Sequence, residues 1–358
     1  APREFTEHYA GVYDQGWQAL REQRWRKAQT LGLIRPNAPL APMPADLRDW
    51  HSLTEQERHY YAKAMSVNAG MLEAMDHHIG RFMQYLASTD QLDNTLFVVT
   101  SDNGPEFNDV ASIPGVGLWR AISGYHSDIE NMGEKRSLVS IGPEWASAAA
   151  APNSLFKFYS SDGGIRVPLI ISGPGIPQGT LQNSLAMVTD ITPTLLDYLK
   201  LPFSMSDEQV AITGRSLMPV LHGRNPYTYG PQDAVGLEVS GNAALIKGRY
   251  KLSRNLPPYG DSEWHLYNLD QDPGETEDLS ESEPLIFNEL SADYARYATT
   301  YGVQAMPDGY DSVRQITLNT YKKLAKAYQS YIMGLALLAI MFLGWRILSG
   351  KRRRSAAH

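Results

Sequence analysis

The chain has 358 residues, 43% of them hydrophobic and 20% charged, which is ample for one α/β domain with a small appendage and excludes a disordered chain. A formal net charge of −7, with no RNA- or DNA-reading motif, excludes non-specific nucleic-acid binding. Cysteine is absent, so there is no disulfide and no zinc–thiolate site, and redox arguments leave the compartment open.

In chain order, residues 9–33 carry Val12, Trp17, Leu20 and Trp25 at helical spacing beside Arg21, Arg24 and Arg26, the pattern of a surface helix. A proline-punctuated loop follows from Pro36 to Pro44. Thr54 and Glu57 then form a capping-box pattern that opens a long helix reaching Leu86. Met65, Ala69, Leu72, Met75, Ile79 and Phe82 make its apolar stripe, expected to pack on a sheet. His77 and His78 are adjacent on that helix and point about 100° apart, a poor metal pair.

The apolar strand Thr95–Thr100 runs into Ser101, Asp102, Asn103 and Gly104. Two oxygen-donor side chains at a strand end suit a hard divalent ion, and Asp-Asn-Gly also suits a tight turn; the tripeptide alone leaves both readings open. Residues 106–153 read as a loop-rich insertion, whose Trp119, Tyr125, His126 and Trp145 either contact the organic part of a substrate or pack the insertion. Lys157 precedes Ser161-Asp162-Gly163-Gly164-Ile165-Arg166-Val167-Pro168 and a buried strand, Leu169–Ser172. A helix over 190–199 enters through Thr192-Pro193. Beyond Ser206 the pattern becomes that of a small antiparallel subdomain, with a helix over 281–301.

Tyr331 to Trp345 is uncharged, and with Ile347 and Leu348 it gives a short membrane span with Lys351-Arg352-Arg353-Arg354 behind it. The positive-inside rule places that tail in the cytoplasm and the globular part in the periplasm or outside the cell. The alternative is an apolar helix used for dimer packing or laid on the bilayer. The expected organisation is residues 1–205 and 206–310 as two parts of a globular unit, a linker at 311–330, a transmembrane helix at 331–348 and a basic tail at 349–358.

Two segments carry a resemblance. Leu96-Phe-Val-Val-Thr-Ser-Asp-Asn-Gly104, and Lys157 four residues ahead of Ser161-Asp162-Gly163-Gly164-Ile165-Arg166-Val167-Pro168, resemble the sulfatase family, with Ser161 and Asp162 in place of the usual Tyr-Glu. Met75-Asp76, Ile79-Gly80-Arg81, Leu92-Asp93-Asn94-Thr95, Asp190-Ile191-Thr192-Pro193, Lys247-Gly248-Arg249-Tyr250-Lys251 and Asp270-Gln271-Asp272-Pro273-Gly274-Glu275 extend it over roughly residues 1 to 310.

The resemblance implies an α/β, alkaline-phosphatase-like sandwich, with a central mixed sheet flanked by helices and a small C-terminal antiparallel subdomain. It implies sulfate-ester hydrolysis of the arylsulfatase type around one divalent ion, calcium in preference to magnesium. Asp102 and Asn103 would be metal ligands, and Lys157 would contact the sulfate and stabilise the leaving oxygen. Asp162 and Arg166 are read as a structural pair. The family's nucleophile, a formylglycine made in a Cys/Ser-x-Pro-x-Arg motif, has no counterpart here, so the chain reads as the C-terminal part of a larger protein. The alternatives are a phosphodiesterase or phosphonate hydrolase of the same superfamily, or a non-catalytic, membrane-anchored binding module. The sequence sets neither the substrate's organic part nor the oligomeric state.

Overall fold

The computed structural model describes residues 1–345 other than 111, 112, 114, 203–211, 308, 332, 335, 336 and 344. It begins with α1 (Arg3–Glu7) and α2 (Gly16–Thr30). Of the expected 9–33 helix only 16–30 form, with Gln18, Glu22, Gln23, Arg26 and Lys27 exposed and Trp17 fully buried on the inner face, and Val12 lies exposed ahead of it. The Trp17 indole donates to the Arg48 carbonyl at 3.0 Å, and the buried Arg21 guanidinium donates to the Ala41 and Ser147 carbonyls at 2.7 and 2.5 Å. Carbonyl partners make that burial tolerable, because an unpaired buried cation is strongly unfavourable.

The capping box of Thr54 and Glu57 is complete and opens α3 (Glu55–Ser88). The first half of its stripe is packed, with Met65 and Ala69 in a core shared with Tyr13, Trp17, Trp50, Tyr61, Trp145, Phe156 and Tyr159. Trp17 meets Trp50 and Trp145 edge-on, at centroid distances of 4.7 and 5.6 Å, the arrangement aromatic quadrupoles favour. The second half, with Leu72, Met75 and Phe82, is exposed instead of packed on a sheet.

Next come β1 (Phe97–Thr100), α4 (Val116–Ile122), α5 (Gly142–Ala150), the single turn α6 (Asp162–Ile165) and β2 (Leu169–Ser172). The strands pair antiparallel, Phe97 opposite Ser172 and Thr100 opposite Leu169. This corrects the expected central mixed sheet: among the described residues neither strand has a parallel neighbour, and β2 alternates between half-buried and exposed residues.

After α7 (Ile191–Tyr198) and α8 (Met218–Leu221), the strands β3 (Ala234–Val239), β4 (Asn242–Lys247), β5 (Tyr250–Arg254) and β6 (His265–Asn268) form an antiparallel sheet in sequence order. Leu245, Leu252 and Leu266 pack against Leu290 of α9 (Pro284–Tyr301) on one face. Residues 158–162 hold the other: the Ser160 hydroxyl donates to the Ala243 carbonyl at 2.9 Å, and Asn242 donates to the Phe158 carbonyl at 2.9 Å. Buried on both faces, β4 reads as a continuous apolar run.

Residues Ala1–Ala305 form one compact unit and Met306–His358 a second. In the second, α10 (Ser312–Ala327) is capped by Asp311, whose carboxylate accepts the Arg314 amide at 2.8 Å. The expected transmembrane helix at 331–348 lies partly, and the basic tail at 349–358 wholly, outside the described residues. Among the described residues no helix is long and apolar enough to cross a membrane. The membrane anchor, and with it the periplasmic or extracellular placement, is therefore corrected: the described helix ahead of the apolar run, α10, carries Arg314, Lys322, Lys323 and Lys326 and cannot serve as a span.

Candidate functional site

The loop leaving β1 and the loop entering β2 are joined backbone to backbone. The Gly104 amide donates to the Gly164 carbonyl at 2.8 Å, and a methyl group at Gly104 would sit 1.9 Å from the Gly163 oxygen. Gly163 and Gly164 are equally confined, since a Cβ on either would lie 2.2 Å from a carbonyl oxygen, that of Leu155 or Tyr159. These glycines serve close backbone approach, which any side chain would block. One residue along, the Lys157 amide donates to the Pro105 carbonyl at 3.1 Å.

This packing presents Asp102 exposed and Asn103 half-buried at the end of β1, with Lys157 beside the same loop. The Asn103 amide nitrogen donates to the Gly104 carbonyl at 2.8 Å, which leaves the amide oxygen as the donor for a cation. The Lys157 ammonium pairs with Glu106 at 2.8 Å, both side chains more than a third exposed. Such a pair contributes little, on the order of 0–1 kcal/mol, and an incoming anion can compete for the lysine.

One anionic and one neutral hard oxygen suit calcium or magnesium, but calcium takes about six to eight oxygen ligands. Among the described residues no three histidine, aspartate or glutamate side chains cluster as a metal shell. Asp102 and Asn103 fit as part of a shell and do not complete one. His77 and His78 are engaged elsewhere, His77 against the Phe5 ring at 5.4 Å and His78 with Arg81 at 3.2 Å.

Behind the glycines lies a buried charge cluster. The fully buried Lys251 ammonium is 2.7 Å from Asp162 and 2.6 Å from Glu275, and the Asp162 amide donates to Glu275 at 3.2 Å. Arg166 approaches Asp162 from the exposed side at 3.4 Å. Burial alone would lower the lysine, yet the two carboxylates hold it above its ordinary value. Burial alone would likewise raise Asp162, but Lys251 and Arg166 bring it below the usual carboxylate range, whereas burial beside Asp162 pushes Glu275 up.

Of the four candidate aromatic and histidine contacts in the insertion, Trp145 is fully buried, donates its indole hydrogen to the Tyr61 carbonyl at 2.9 Å, and belongs to the core. Trp119 and Tyr125 stack at 5.6 Å near the surface. His126 lies 3.2 Å from Asp128 and 3.0 Å from the Lys135 carbonyl. Sequence reasoning passed over Glu106 and Lys251. Strand alternation carries the signal for Lys251, which takes the face opposite Leu252 and so meets the 158–162 segment instead of the leucine core.

The sulfatase family model matches residues 1–201. The chain is 34% identical over 320 residues to an uncharacterized sulfatase of Schizosaccharomyces pombe, covering 87% of this chain and 57% of that protein. It is 32% identical over 235 residues to an arylsulfatase of Klebsiella aerogenes, covering 62% and 46%. An N-acetylgalactosamine-6-O-sulfatase of Bacteroides thetaiotaomicron is 24% identical over 232 residues, covering 61% and 39%. The chain thus spans about half the length of the curated relatives it matches.

Proposed function

Because this chain belongs to the sulfatase family, we propose that it forms part of a hydrolase of sulfate monoesters and contributes Asp102 and Asn103 to a calcium site and Lys157 to sulfate binding. The observation that carries this reading is the backbone lock between Gly104 and Gly164, which brings the Asp102–Asn103 loop and the Lys157 segment together. A hard divalent ion bound there would supply Lewis acidity toward the sulfate ester. Asp102 would give that ion a negative ligand and Asn103 a neutral one. Lys157 leaves Glu106 to meet the anionic substrate and balances charge on the departing oxygen.

The nucleophile is not in this chain, which has no cysteine and no serine in a Ser-x-Pro-x-Arg setting. In this reading it comes from the part of the relatives' length that the chain does not span. Asn103 favours a sulfatase over a two-metal phosphodiesterase or phosphonate hydrolase, since an amide oxygen is a poor ligand for the zinc such sites take. The test is substrate preference. With the chain joined to the portion of the Schizosaccharomyces pombe relative outside their match, turnover of 4-nitrophenyl sulfate well above that of bis-4-nitrophenyl phosphate supports the reading. The reverse order overturns it.

A further inference from the structure

We propose that Asn103 is a self-modification site, kept intact by the lock between Gly104 and Gly164 and converted to aspartate or isoaspartate when that lock opens, with water as the co-reactant. Of all the asparagines in the chain, Asn103 alone is followed by glycine. That pairing favours cyclisation, because a residue without a side chain lets its amide nitrogen approach the side chain before it.

The chemistry runs through a cyclic imide. The Gly104 nitrogen attacks Cγ of Asn103 and a C–N bond forms. The Cγ–Nδ2 bond breaks, and the side-chain nitrogen leaves as ammonia with the hydrogen that Gly104 gives up. Water then opens the imide at either carbonyl. Opening at one gives aspartate; opening at the other gives isoaspartate, whose main chain runs through the former side chain.

The folded loop blocks the first step at both ends of the peptide that has to turn. The Gly104 amide donates its hydrogen to the Gly164 carbonyl at 2.8 Å, and the carbonyl of the same peptide, that of Asn103, accepts the Ser101 hydroxyl at 2.9 Å. The leaving nitrogen is held as well, Nδ2 donating to the Gly104 carbonyl at 2.8 Å. Gly104 itself is buried against the Gly163 oxygen, which leaves the peptide little room to rotate. Water is close at hand, since Ser101 and Asp102 are exposed and Asn103 is half-buried. Opening of the lock is therefore the step that gates conversion.

Conversion is a one-way change of the strand end. A carboxylate replaces the neutral amide next to Asp102, and isoaspartate adds a carbon atom to the main chain, which takes Gly104 out of register with Gly164. Because the chemistry needs only this loop and water, it stands apart from sulfate-ester hydrolysis.

To test it, the 358-residue chain is kept in mildly alkaline buffer, native and in urea, and the peptide 97–108 is followed by mass, with enzymatic methylation identifying isoaspartate. The native chain is expected to convert at least about tenfold more slowly than the unfolded one. That factor is expected to match, within about threefold, the protection of the Gly104 amide against hydrogen exchange, since one opening gates both. Ser101→Ala, at an exposed position, frees the Asn103 carbonyl and is expected to speed native conversion about threefold or more. Equal rates in native and unfolded chain, slowing that does not follow Gly104 protection, a rate unchanged by Ser101→Ala, or another asparagine converting ahead of Asn103 in urea would each overturn the proposal.

Discussion

Lys251 and Asp162 form an ion pair at 2.7 Å, both buried, that ties the middle of β5 to the glycine loop packed against Gly104. Glu275 completes the cluster, so two chain segments far apart in sequence converge on one ammonium. Removing that ammonium leaves two buried carboxylates facing each other. Lys251→Met is therefore expected to cost about 3–5 kcal/mol, read from urea denaturation. A loss below about 1 kcal/mol would show that the cluster does not anchor the loop.

Gly104 holds the Asp102–Asn103 loop against the second glycine segment. In Gly104→Ala the new methyl meets the Gly163 oxygen, and the two loops must part. The expected cost is about 1–3 kcal/mol, with faster amide exchange at position 104. Unchanged exchange there would remove the close approach as the reason for glycine.

Two tryptophans of the same insertion are expected to behave oppositely. Trp145→Ala empties a fully buried site and forfeits the hydrogen bond to Tyr61, at about 3–5 kcal/mol. Trp119→Ala loses a near-surface stack on Tyr125 and is expected to cost less than about 1 kcal/mol. Thermal melts of both variants check the contrast.

His265 sits between Asp261 at 3.0 Å and Asp278 at 2.8 Å. Burial alone would lower its imidazole, but the hydrogen bonds and charges of the two carboxylates raise it above the ordinary 6.5, and both aspartates lie below their ordinary 3.8. A raised histidine stabilises fully below its unfolded value, and that contribution fades as pH rises through the folded one. The lowered aspartates add stability above their unfolded value and lose it in acid. His265→Gln is thus expected to lower the melting temperature more at about pH 5.5 than at about pH 9, by a contribution of at most about 1 kcal/mol. An equal loss at both would refute the charged cluster.

What the sequence disclosed depended on how local each signal was. The Thr54–Glu57 box and the apolar run ahead of Asp102 are short-range patterns, and each points to an element that forms, α3 and β1. Lys251 was hidden because its partners are 89 and 24 residues away, and a lysine in a strand ordinarily reads as solvated. The α3 stripe announced packing but not its partner, and so predicted a sheet that the described residues do not provide. The C-terminal apolar run gave the opposite error: hydropathy alone promised a span, and among the described residues no helix is long and apolar enough to be one.

On the proposed reading, in which Asp102 and Asn103 give only part of a metal shell and the nucleophile lies outside this chain, the chain by itself is expected to release no nitrophenol from 4-nitrophenyl sulfate with calcium. Clear chain-dependent release would contradict that division of the site.

The most direct measurement is the calcium dependence of 4-nitrophenyl sulfate turnover in the chain joined to the unmatched portion of its Schizosaccharomyces pombe relative, with and without Asp102→Ala. The expected result is turnover abolished by a chelator, restored by calcium, and lowered about a hundredfold or more by Asp102→Ala or Lys157→Ala while the fold persists. Turnover indifferent to calcium and to Asp102 would contradict the assignment of the strand-end pair as metal ligands.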